Sequence, residues 1–128
     1  MKTILVDAVY TFVADDGVIF NEMYSLLENY KNRKIILTNA NNEQIIAFGL
    51  DKMPYDVFTL KYNPEKTDPE YFKTLINKYN LAIEDLVYFE RSQEAVDSAR
   101  SLGIKSFYYD SEKKDMIALK SFIDENIN

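Results

Sequence analysis

Ile4-Leu5-Val6-Asp7-Ala8-Val9 is the stretch on which the reading of this chain turns. A short, unbroken apolar run rich in branched residues suits a strand covered on both faces, as in a parallel sheet. Asp7 breaks the pattern, because an unpaired carboxylate inside such a strand is costly to bury. The run therefore predicts both a central strand and a polar site at its end.

Working outward, short apolar runs alternate with amphipathic segments of helix length, the pattern of repeated βαβ units. Further strands are expected at Lys34–Thr38, Tyr55–Leu60, Leu86–Phe89 and Ile104–Tyr109. Helices are expected over Asn21–Tyr30, from Asn41 or Asn42 to near Gly49, from Pro69 behind an Asp68 cap, over Ser92–Leu102, and from Ser111 to about Ile123. Ala14-Asp15-Asp16-Gly17 is a turn signal. The expectation is one α/β domain over residues 1–128, with a five-stranded parallel sheet in a three-layer, Rossmann-like arrangement.

Composition narrows the chemistry. The chain has no cysteine and no histidine, which excludes thiolate and imidazole metal sites and Ser-His-Asp or Cys-His catalysis. Catalysis would have to use carboxylates, lysine, hydroxyls or an oxygen-bound metal. A net charge of −6 argues against nucleic-acid binding through the phosphate backbone. The apolar run at the N-terminus is too short for a signal peptide or membrane span, so a cytoplasmic protein with no membrane partner is expected.

Ligands of open parallel sheets sit beyond the carboxyl ends of the strands. There the sequence places Asp7, Thr38 with Asn39, Lys66 in the loop after the third strand, and Glu90 with Arg91. An aspartate can attack phosphorus, while a hydroxyl and an ammonium can hold phosphoryl oxygens. Taken singly, Thr38 suits any strand, Lys66 suits a solvated surface, and Glu90–Arg91 suits a strand-end charge pair. The candidate site rests on the set.

In order and spacing, these pieces resemble the haloacid-dehalogenase (HAD) superfamily of phosphatases and phosphotransferases. Met1–Phe12 resembles its opening strand with the Asp-x-Asp-x-Thr-Leu motif. Ile35-Ile36-Leu37-Thr38-Asn39 resembles the second motif, and Asn63–Phe72 the third. Val87–Ile104 resembles the fourth, down to Ala99-Arg100-Ser101-Leu102-Gly103-Ile104. The resemblance implies a HAD-like fold, Asp7 at the nucleophile position, Thr38, Asn39 and Lys66 as phosphate-binding residues, and Mg²⁺ if the site is active.

It also locates the departures. The family's second aspartate, its acid-base, is Val9 here, and its metal-ligating aspartate is Arg91, which has only donors to offer. Asp7 and Glu90 are what remains to bind a metal, and only if Mg²⁺ binds. Arg91 is expected to put its guanidinium in the ion's place and to pair with Asp7. Only the Asp15-Asp16-Gly17 turn and one helix stand where many family members carry a cap. The expected function is a binding or regulatory module, inactive or nearly inactive as a phosphatase, with no cofactor and with a protein or phosphorylated ligand as partner. The alternative is an Mg²⁺-dependent phosphatase using Asp7.

Overall fold

The computed structural model describes residues 1–128. Five strands, β1 (Thr3–Asp7), β2 (Lys34–Thr38), β3 (Asp56–Thr59), β4 (Leu86–Glu90) and β5 (Lys105–Tyr108), form one sheet. Its order is β3-β2-β1-β4-β5, with every neighbouring pair parallel. The chain winds outward from β1 through β2 to β3, crosses back to β4, and ends on β5. The order therefore reverses between β1 and β4, where such sheets open a crevice at their carboxyl ends.

Alternation along the strands divides the core in two. Ile4, Val6, Ile36 and Phe89 face one layer, packed with Met23 and Leu27 of α1 (Asn21–Glu28) and Leu119 and Ile123 of α5 (Met116–Asn126). Leu5, Ile35, Leu37 and Tyr88 face the other, against Tyr71, Phe72 and Leu75 of α3 (Pro69–Tyr79) and Ala99 of α4 (Gln93–Ser101). This is the expected three-layer, Rossmann-like sandwich. No helix is long and apolar enough to cross a membrane.

Local chemistry explains most element boundaries. In α2 (Asn42–Ala47), Asn41 and Gln44 form a reciprocal capping box, each side chain accepting the other's backbone N–H at 2.9 Å. Asp68 caps α3 by accepting the Glu70 N–H at 2.9 Å, with Pro69 in the first turn, and Ser92 caps α4. β1 stops at Asp7, two residues short of the expected Val9. The Ala8 carbonyl there gathers the N–H groups of Thr11, Phe12 and Val13, at 3.2, 2.8 and 3.1 Å, and curls the chain away from the sheet. Residues 14–17 make the expected turn, closed by Gly17 N–H donating to the Ala14 carbonyl at 3.0 Å.

One helix start is corrected. The last helix begins at Met116, capped by Asp115, and not at Ser111. The Asp110 carboxylate accepts the N–H groups of Glu112 and Lys113 at 2.9 and 3.2 Å, which closes a separate turn. Lys114 then takes a left-handed φ of 50°, so no helix can run through it.

Gly17 and Gly49 fix the loop above β1. Both have positive φ, +87° and +65°, and a Cβ built on Gly49 would lie 3.3 Å from the Gly17 Cα. Two backbones meet here with no side chain between them. The 14–17 turn is thereby seated on the end of α2.

Candidate active site

Asp7 and Glu90 end adjacent strands, β1 and β4, whose preceding residues Val6 and Phe89 are register partners. Alternation sends both carboxylates to the α3–α4 face, where they are 3% and 1% exposed. Two buried carboxylates side by side repel each other and need a shared cation. Lys66 supplies it. Its Nζ lies 2.7 Å from Asp7 Oδ1 and 2.6 Å from Glu90 Oε1, with the Leu37 carbonyl at 3.5 Å. The Lys66 N–H donates to Asn39 Oδ1 at 2.8 Å, tying the loop that carries the lysine to the end of β2. Lys66 is only 7% exposed, so it is not the solvated surface lysine that its position in a loop would suggest.

Protonation follows from these contacts. Burial pushes the Asp7 carboxyl up, but the Lys66 charge and the hydrogen bonds from Lys66 and Thr11 reverse this and hold it below its ordinary value. Burial disfavours the Lys66 ammonium, yet the two carboxylates outweigh it and keep the amine charged. Glu90 goes the other way. Burial, then the nearby Asp7 charge, push it up to about 7 despite Lys66. The pair is thus divided into Asp7, held ionised below the ordinary carboxylate range, and Glu90, which titrates near neutrality.

Three further hydroxyls, of Thr11, Tyr88 and Tyr71, bond to the carboxylates or to the strands beside them. Thr11 Oγ1 donates to Asp7 Oδ2 at 2.7 Å. Tyr88 donates to Glu90 Oε1, and burial followed by the Glu90 charge keeps its phenol protonated. Tyr71 OH accepts the Thr38 N–H at 3.1 Å and lies 2.9 and 3.0 Å from the carbonyls of Thr38 and Phe58, pinning β2 to β3. The Tyr88–Glu90 contact has a sequence signal, since residues two apart in a strand share a face. The tyrosine in α3 has none.

Thr38 is buried, and its Oγ1 accepts the Ala40 N–H at 3.2 Å, which leaves its own proton free to donate. Thr38, Asn39, Asp7 and Lys66 line one cavity of about 580 Å³, together with Glu90 and Arg91. The N–H groups of Val9 and Asn39 are also left without a protein acceptor. All the residues singled out from sequence therefore meet at one place.

Arg91 lies beside Asp7 as expected, with Nε 3.9 Å from Asp7 Oδ2, a long ion pair, while its hydrogen bond goes to the Val9 carbonyl at 2.9 Å. Asp7 is satisfied by Lys66 and Thr11. Arg91 and Glu90 do not pair. Glu90 turns inward to Lys66, while Arg91 turns outward and lays its guanidinium 5.1 Å from the centre of the Tyr10 ring.

A divalent ion of the kind the fold implies would need several oxygen ligands around Asp7. The residues present do not fit one. No group of three or more acidic side chains is gathered there. Asp7 and Glu90 are both engaged by an ammonium, and the Val9 carbonyl is taken by a guanidinium.

Comparison with known proteins rests on structure, since neither a family model nor a curated relative matches the sequence. A HAD-superfamily hydrolase from Ehrlichia chaffeensis superimposes with a TM-score of 0.59 at 14% identity, over 99% of this chain and 97% of its own. An uncharacterised protein from Listeria monocytogenes gives a TM-score of 0.65 at 16% identity, over 84% and 78%. A protein from Bacteroides fragilis assigned to the haloacid dehalogenase-like hydrolases gives 0.60 at 20% identity, over 73% of this chain but 49% of its own. The chain thus spans about half the length of that last protein. These likenesses establish a HAD-like fold.

Proposed function

We propose that on this HAD-like fold the chain works as a binding or regulatory module for phosphate-bearing ligands, and does not hydrolyse them. In this reading it is a cytoplasmic, capless pseudoenzyme forming one domain, with Thr38, Asn39 and Lys66 around the phosphate position and Asp7 at a silent nucleophile position. The observation that carries it is the Arg91 guanidinium, 2.9 Å from the Val9 carbonyl and 3.9 Å from Asp7, set among the oxygens a divalent ion would use.

Charge balance supports the same view. Lys66 and Arg91 offset Asp7 and Glu90 one for one, so the cluster needs no further cation. Val9 cannot protonate a leaving group or activate water, which removes the acid-base contribution of about 10²–10⁴ in rate.

A second reading, an Mg²⁺-dependent phosphatase, is favoured by one observation: Lys66 and Thr11 keep Asp7 ionised, as a nucleophile must be. Hydrolysis of a generic aryl phosphate with and without Mg²⁺, beside Asp7→Asn, separates the two. The expected result is no hydrolysis that depends on Asp7, with a rise in melting temperature on adding phosphate but none on adding Mg²⁺. Turnover requiring both the metal and Asp7 would overturn the binding-module reading.

A further inference from the structure

The cavity is lined by two unlike kinds of group. One is polar: the unpaired N–H groups of Val9 and Asn39, the Thr38 hydroxyl and Arg91. The other is aromatic: two tyrosines, Tyr10 and Tyr62, 51% and 50% exposed. Both have left-handed backbones, with φ of 69° and 66°. A bulky residue in that region is strained, and strain of this kind gathers at functional sites. Five residues other than glycine have positive φ, and the two aromatic ones among them both line this one cavity.

Neither ring is serving the core. Arg91 stacks on one side of Tyr10, and the Tyr10 hydroxyl donates to Asp15 Oδ2 at 3.2 Å, so the ring is held in place with half its surface open. The Tyr62 hydroxyl has no protein partner. Gln44 also lines the cavity, and its Oε1 is taken by the Asn41 N–H, which leaves the amide NH₂ to donate. Exposed, pre-positioned aromatic faces beside a free amide suit a planar heteroaromatic ring, which stacks on one and accepts from the other. A volume of about 580 Å³ is in the range of small-ligand sites and exceeds what a bare phosphate needs.

Resting on the binding-module reading, we infer that the ligand is a nucleoside monophosphate, bound without metal, its phosphate on the polar groups around Thr38 and Arg91 and its base against Tyr10 and Tyr62. Calorimetric titration in EDTA with adenosine 5′-monophosphate, ribose 5-phosphate, adenosine and inorganic phosphate tests it. Adenosine monophosphate should bind at least tenfold more tightly than ribose 5-phosphate, and adenosine alone more weakly than the monophosphate. Tyr62→Ala should lower the monophosphate's affinity to that of ribose 5-phosphate, while Tyr62→Phe, which keeps the ring, should hold it. Equal binding of ribose 5-phosphate and adenosine monophosphate by the unaltered protein would overturn the nucleoside assignment and leave the phosphate-binding reading standing. If phosphate and both phosphate esters all fail to bind, both readings fall. Adenosine binding as tightly as its monophosphate would refute the phosphate anchor.

Discussion

Replacing Lys66 with methionine keeps the apolar stem and removes the charge, leaving Asp7 and Glu90 buried side by side with no cation between them. At 2.7 and 2.6 Å, each attraction is worth about 6 kcal/mol gross at an effective dielectric of 20. Desolvation of three charges and repulsion between the acids take most of that back. Removing one member of a buried pair costs about 3–5 kcal/mol, a large share of the ~5–15 kcal/mol that stabilises a domain. Lys66→Met should therefore lose about 3–5 kcal/mol at pH 8.5, with the melting temperature falling by roughly 10–20 °C.

The loss should depend on pH in a defined direction. Without Lys66, Glu90 holds its proton to higher pH than the value of about 7 it has beside the ammonium. Above that value the variant keeps a proton the parent has released, so the destabilisation shrinks as pH falls from 8.5 to 6. Urea unfolding at those two pH values measures it. A loss below about 1 kcal/mol, or one equal at both pH values, would refute the buried three-charge arrangement.

Other outcomes follow from the same geometry. Because the folded-state value for Glu90, about 7, lies above its ordinary 4.5, its contribution to stability is complete below about 4.5 and is lost as pH rises through 7. The unfolding free energy should fall over that window by up to about 3 kcal/mol, and Glu90→Gln should flatten the profile. Asp7 acts oppositely, its contribution being lost only as pH falls below the ordinary carboxylate range. Tyr71→Phe strips the hydroxyl shared by Thr38 and Phe58 and should cost about 1–3 kcal/mol in chemical denaturation. Gly17→Ala forces a Cβ to 3.2 Å from the Phe48 carbonyl at a φ of +87°, and a loss of about 1–2 kcal/mol is expected, read as a lowered melting point.

The sheet was legible because its central strands are continuous apolar runs bounded by polar turns, and β1, β2 and β4 are buried at every position. Helix starts were legible where a cap stands directly before the apolar periodicity, as at Asn41, Asp68 and Ser92. Ser111 misled because Asp110 draws the next N–H groups into a turn of its own, a competition that residue preference does not resolve. At the site, strand ends announced Asp7, Thr38 and Glu90, since sheet order brings such positions together. The depth of Lys66 was not legible, because the burial of a loop residue depends on how its loop folds back. Arg91 pairs with Asp7 at 3.9 Å as expected, but its hydrogen bond to the Val9 carbonyl was not legible. The pull of the Val9 carbonyl depends on the curl after Asp7, and only tertiary geometry reveals it.

The abutting Gly17 and Gly49 set the direction in which this cavity can change. With main chain pressed on main chain, the roof over the first strand has no side chain to trim, and lengthening the 14–17 loop would lift it off its seat. Change in the shape of the cavity is thereby left to other parts of its lining, such as the solvent-exposed Lys61–Tyr62 bend, which makes no contact with the buried charges.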